Sequence, residues 1–173
     1  MSRYENYVVN DLISEVESKY PAATGRQNRA IVGVSMGGYG AVKNAMKHPE
    51  LFVFAGGLSA AVDVPTRPFS IKRVSQWRFH SSIFGPSGSQ TRRENDPYVL
   101  ARSVDPVRTP YLFLGCGEQE GLLPASRKLA AILEERGFAY EFHTASGDHN
   151  WLQWNAEMPN VFRRLQERIG PGR

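Results

Sequence analysis

The segment Gly33-Val34-Ser35-Met36-Gly37-Gly38 puts a serine at the centre of a G-x-S-x-G pattern. In that pattern the serine sits on a strained turn between a strand and a helix, which exposes its hydroxyl to a base and a substrate. The bare pattern is common, so its setting carries the argument. An apolar run, Ala30 to Val34, precedes it, and a helical stretch, residues 36–48, follows it. Gly33 and Gly37 are expected to remove side chains that would collide across the turn. The N–H of Met36 is then expected at the positive end of the helix, facing a developing oxyanion.

A serine hydroxyl is a poor nucleophile without a base in hydrogen-bond reach. Of the four histidines, His48 falls in the last turn of a helix, where the helix dipole explains it. His80 lies in an irregular stretch, and His143 lies within a strand, where a half-buried structural role fits. His149 stands in Ser146-Gly147-Asp148-His149-Asn150-Trp151, between the last strand and the final helix, and is the expected base. An acid must orient its ring, and with this serine turn the chain order is Ser, acid, His. That order points to the loop Gly115-Cys116-Gly117-Glu118-Gln119-Glu120-Gly121, in which Glu118 and Glu120 compete. Asp148 is adjacent to His149 and badly placed to orient it, and Asp96 and Asp105 precede the strand.

The elements that must position these residues are legible from periodicity. Tyr4, Val8, Leu12 and Val16, with Val9, Ile13 and Tyr20, recur at helical spacing, so residues 4–20 read as an amphipathic helix stopped by Pro21. Strands are expected at Ala30–Val34, Leu51–Leu58, Tyr111–Leu114 and Ala139–Thr144. A helix opens at Pro124 and stops at Gly137, and a final helix runs from about Met158 to Ile169. Buried strands alternating with helices argue for an α/β fold, a mostly parallel sheet with helices on both faces. The whole chain, 1–173, reads as one domain. Residues 62–109 interrupt the rhythm with Pro, Ser, Arg and aromatics (Phe69, Trp77, Phe79, Phe84) and hold one expected helix between Ser70 and Ile83. So long an insertion is expected to form a cap or pocket wall.

Composition narrows the classes. With 173 residues, 41% hydrophobic and 22% charged, the chain can build one sizeable core. No apolar run approaches the roughly 20 residues a membrane helix needs. Residues 1–20 alternate charged with apolar residues, unlike a secretory signal. The single Cys116 excludes an internal disulfide and a cysteine-based zinc site, and it fits a reducing, cytoplasmic setting. The net charge is +4, but basic residues cluster only in pairs (Lys72-Arg73, Arg92-Arg93, Arg163-Arg164) without interleaved aromatics, which argues against a nucleic-acid partner.

The segments Gly33–Ala41, Cys116–Leu122 and Gly147–Trp154 together resemble an esterase family of the α/β-hydrolase superfamily. It includes esterase D, S-formylglutathione hydrolases, feruloyl esterases, tributyrin-type esterases and the antigen 85 mycolyltransferases. The resemblance runs over essentially the whole chain. It implies Ser35 as nucleophile, Glu120 as acid, His149 as base and Met36 as an oxyanion donor, with Trp151 and Trp154 supporting the histidine loop and the substrate pocket. At Glu120 the family usually has Asp. The implied reaction is hydrolysis of a small-molecule carboxylic ester without metal or organic cofactor. Acyl transfer by the same triad, or a non-catalytic interaction module on the same fold, are the alternatives. Family members have further strands before the helix that begins here near Tyr4, and one loop there supplies a second oxyanion donor. The chain is therefore expected to be N-terminally truncated, with an exposed sheet edge that a second copy would cover.

Overall fold

The computed structural model describes residues 3–67 and 74–169. Four strands, β1 (Ala30–Val34), β2 (Phe54–Leu58), β3 (Tyr111–Gly117) and β4 (Tyr140–Ala145), form one parallel sheet in the order β1-β2-β3-β4. The register aligns their C-terminal ends: Val34 pairs with Leu58, Leu58 with Gly115, and Gly117 with Ala145. Parallel neighbours require crossovers, and helices supply them on one face of the sheet, while the last helix, after β4, covers the other. α3 (Met36–Lys47), α6 (Pro97–Ser103) and α7 (Leu123–Arg136) enclose Val42, Met46, Ala55, Leu112, Leu114, Leu129 and Leu133 against one face. α8 (Trp151–Gln166) closes the other, over Phe54, Leu58, Phe113 and Val161. Alternate residues of each strand thus enter opposite cores, as a period of two demands.

Local chemistry sets the boundaries. Gly137 ends α7 at φ +73, a left-handed cap that glycine adopts without strain. The Asp96 carboxylate caps α6 by accepting from the Tyr98 N–H, with Pro97 at its first turn. Asn150 caps α8 through the Gln153 N–H, so this helix starts well before Met158 and carries Pro159 in its interior. That early start corrects the expected boundary near Met158, because the cap at Asn150 lies upstream.

Residues 62–109 are also more regular than expected. Among the described residues they hold a 3-10 turn (Val64–Thr66), α4 (Val74–Phe84), α5 (Gln90–Glu94) and α6. α6 belongs to the main core through Tyr98, Leu100 and Ala101. Phe69, Ser70 and the Lys72-Arg73 pair lie outside the described residues, as does the side chain of Trp77. No helix among the described residues is long and apolar enough to cross a membrane.

The first helical segment comprises α1 (Arg3–Asn6), a wider π turn (Tyr7–Leu12) and α2 (Ile13–Lys19). Neither of its two apolar stripes is fully covered: Val9 is buried and Val8 and Ile13 are half-buried, while Tyr4, Leu12, Val16 and Tyr20 stand exposed. Glu5 explains the docking. Its side chain is 1% exposed and accepts from Lys43 at 2.9 Å, from Lys47 at 2.9 Å, and pairs with His48 Nε2 at 3.0 Å. His48 is therefore held by this carboxylate rather than by the helix dipole alone.

Burial alone would raise the Glu5 carboxyl, but hydrogen bonds from Lys47, Lys43 and His48 outweigh it and hold the group at about 2. A depressed folded-state value stabilises the protein above the ordinary value of 4.5 and loses that contribution as pH falls toward 2. Glu5→Gln strands the buried Lys43 and the half-buried Lys47 and is expected to cost about 3 kcal/mol at neutral pH. Denaturant unfolding of both proteins across that pH range should show wild type losing its advantage as the carboxyl protonates.

Candidate active site

Each of the four strands delivers one side chain to a common point at the C-terminal edge of the sheet, where parallel α/β sheets bind ligands. Ser35 follows β1, Ser59 follows β2, Glu120 follows β3 and His149 follows β4. Ser35 has φ +54 and ψ −118, a conformation that an L-residue adopts only under constraint. Three backbone bonds hold it there: its N–H donates to Leu58 O at 2.9 Å, and its carbonyl accepts from Tyr39 N at 3.0 Å and Ala61 N at 3.1 Å.

The glycines around the serine divide the work differently from the expectation. A Cβ on Gly33 would lie 2.3 Å from the Gly37 carbonyl carbon, so only glycine permits this crossing. A Cβ on Gly37 meets nothing within 4 Å, which corrects the expected symmetry between the two. Gly37 matters as the backbone that Gly33 approaches. Met36 opens α3 beside Ser35, at the positive end of that helix.

His149 Nε2 lies 3.0 Å from Ser35 Oγ, and its Nδ1 lies 2.9 Å from Glu120 Oε2. Glu120 is 4% exposed, and its Oε1 accepts from the Gly117 N–H at 2.8 Å and the Ser59 hydroxyl at 2.6 Å. Glu118 is exposed on the same loop, and the Asp148 carboxylate accepts from the His149 backbone N–H. The structure therefore brings together Ser35, His149 and Glu120 and leaves the competing acids aside. The loops that carry His149 and Glu120 are clasped to one another: Gln119 N donates to Gly147 O at 3.0 Å, Gly147 N donates to the Gln119 side chain, and Glu118 N donates to Ala145 O at 2.9 Å. Burial and the adjacent Glu120 charge push the Cys116 thiol beneath this loop up to about 11, away from nucleophilic use.

Ser35, Met36 and His149 open on a cavity of about 620 Å³, walled by Ala61, Asp63, Val64, Arg67, Phe79, His80, Gly121 and Leu122. The described residues before Ser35 take no part in this lining. Asp63 and Arg67 form a two-point ion pair at 2.8 and 2.9 Å. Buried Arg92 ties the wall together, donating to Pro65 O at 2.6 Å and Gly85 O at 2.9 Å and to Ser81 Oγ at 3.1 Å. Burial and the neighbouring Arg67 and Arg92 lower the imidazole of His80 below its ordinary range.

Neither tryptophan lines the cavity, which corrects the pocket half of that expectation. Trp154 is 9% exposed, packs in the α8 core, and meets the His149 ring edge-on at 5.1 Å. Trp151, 69% exposed, meets Trp154 edge-on at 5.0 Å. Trp154 therefore touches the His149 ring directly, and Trp151 reaches it through Trp154. Asp63, Val64, Arg67 and Ser59 were not singled out from the sequence, although the 62–109 stretch with Phe79 was expected to form a pocket wall. The only advance signal for the wall was the length of the stretch that supplies it.

This fold, a parallel sheet with a strained serine turn at its edge, defines the α/β-hydrolase class. A ferulic acid esterase structure superposes with TM-score 0.78 at 24% identity, covering 96% of this chain and 62% of that one. The family profile described as "Putative esterase" matches residues 1–165, and the chain belongs to that family. Among relatives, an acetyl esterase of Caldicellulosiruptor saccharolyticus is 26% identical over 170 residues, covering 95% of this chain and 64% of that protein. The diacylglycerol acyltransferase/mycolyltransferase Ag85B of Mycobacterium avium is 26% identical over 192 residues, covering 97% of this chain and 57% of that protein. The chain thus spans less than two thirds of the length of these relatives.

Proposed function

We propose that the chain is a serine carboxylic-ester hydrolase working through an acyl-enzyme on Ser35. The observation that carries this reading is the unbroken relay from Glu120 Oε2 through His149 to Ser35 Oγ, at 2.9 and 3.0 Å. Ser35 Oγ attacks the ester carbonyl while His149 Nε2 takes its proton. The carbonyl electrons move onto oxygen, facing the Met36 N–H at the start of α3. The intermediate collapses, and the alcohol leaves with the proton from His149. Water then attacks the acylated serine by the same exchange, releasing the acid and restoring Ser35. Glu120 holds the imidazole in position and offsets its transient charge. Side chains and water serve every step, so the chemistry asks for no metal ion or organic cofactor.

Similarity to an acetyl esterase supports a small-molecule ester as substrate. The wall from Ala61 to His80 would then contact the acyl or alcohol part, the pocket-wall role expected of the 62–109 stretch. Similarity to a mycolyltransferase favours a second reading, in which an alcohol replaces water in the final attack. The intact relay speaks against a non-catalytic module. Cys116, free and buried, fits a reducing compartment, and on that ground we assign the chain to the cytoplasm.

The reading extends to self-association. Among the described residues β1 pairs on one side only, and Val32 on this edge is 37% exposed. The Arg29–Glu17 ion pair fastens α2 near the start of β1, and Leu12 and Val16 on this helical segment are also exposed. A second copy would cover these apolar groups and unpaired backbone. Light scattering is expected to show a dimer or larger assembly; a strictly monomeric, fully active chain would contradict this.

Ser35→Ala should fold normally and turn over a short-chain nitrophenyl ester only at a residual rate. Glu120→Gln should lose about 10⁴-fold in turnover, by analogy with neutralising the acid of such triads. Glu118→Gln, on an exposed side chain, should lose little. Near wild-type turnover by Ser35→Ala, or the reverse ranking of the glutamates, would overturn the assignment.

A further inference from the structure

We infer that Ser59 is a positioning residue for the reaction, a clamp that sets the plane of the Glu120 carboxylate and is itself set by Trp154. This rests on the triad reading and adds a fourth strand's residue to it. Ser59 is buried at the end of β2 and has φ +47, a rare backbone state for a residue other than glycine. Its N–H donates to Gly115 O at 2.7 Å, which anchors that backbone to β3.

The direction of the side-chain bonds follows from the groups involved. The Trp154 indole N–H can only donate, and it reaches Ser59 Oγ at 2.8 Å. A carboxylate accepts, so the single Ser59 proton goes to Glu120 Oε1 at 2.6 Å. The Gly117 N–H donates to the same oxygen at 2.8 Å. With Oε1 occupied by two donors, Oε2 is left facing His149 Nδ1. Glutamate has one more rotatable bond than aspartate, so its carboxylate needs such a clamp to hold one plane. Trp154 also meets the His149 ring edge-on, so one indole fixes both partners of the acid–base contact. No described cavity-lining position belongs to Ser59 or Trp154, so the effect on substrate runs through the triad.

The test is steady-state kinetics on a nitrophenyl ester for Ser59→Ala, Trp154→Phe and the double variant, with Ser35→Ala as control and thermal unfolding as the fold check. Losing a hydrogen bond to a charged group is worth roughly ten- to a hundredfold, so Ser59→Ala should lower kcat by about that much with KM unchanged. Trp154→Phe keeps an aromatic ring but removes the N–H with the five-membered half of the indole, and should lower kcat by roughly three- to tenfold. In the double variant the loss should fall short of the product of the two single losses, because the Trp154 N–H acts through Ser59 while its ring also touches His149. Should Ser59→Ala fail to fold, the Trp154→Phe split between kcat and KM decides the matter. Wild-type kcat in either folded single variant, a change confined to KM, or full additivity in the double variant overturns the clamp while leaving the triad intact. Full turnover by Ser35→Ala overturns both.

Discussion

The backbone at Ser35 runs through a conformation that the residue would not choose, and much of the surrounding structure exists to impose it. Strain of this kind costs of order 1–3 kcal/mol. The three backbone hydrogen bonds at Ser35 contribute roughly 0.5–1.5 kcal/mol each, enough to offset it. They reach the end of β2, α3 and the Ala61 turn, so the strain is shared across the elements that also wall the cavity. Gly33 makes the crossing possible by letting the strand pass against the Gly37 backbone.

A second constraint follows from burying a carboxylate. Glu120 has to be fully paired where it sits, and its partners come from Gly117, Ser59 and His149. The parallel register supplies them, because strand ends that align in space place residues distant in sequence beside one another. Ser35 and His149 are 114 residues apart and touch only because β1 and β4 end on the same edge of one sheet. Positional accuracy at the site is therefore inherited from the core, where Phe54, Phe113, Leu112 and Leu129 leave the strands no freedom to slip.

The features legible in the sequence were those with local punctuation. Gly33 and Gly37 around Ser35, Pro124 and Gly137 around α7, and Gly147 before His149 mark turns whose chemistry can be read in a short window. The choice of Glu120 over Glu118 came from resemblance, since the loop conformation that buries one and exposes the other is tertiary. Ser59 had no local signature: its partners lie 61 and 95 residues away. Trp154 was visible as an aromatic near the histidine, but its bond to Ser59 was not. Of the helices in residues 62–109, α4 falls where one was expected between Ser70 and Ile83, whereas α5 and α6 were masked by a Pro- and Ser-rich composition, although Ser89 and Asp96 act there as helix caps.

The central claim is that His149 activates Ser35, and reaction with a fluorophosphonate tests it most directly. Mass spectrometry of the digested wild-type protein should find the adduct on Ser35. In folded His149→Ala the rate of adduct formation should fall by about a thousandfold or more, as expected when a triad loses its base. An adduct on another serine, or undiminished labelling of Ser35 without His149, would contradict the account.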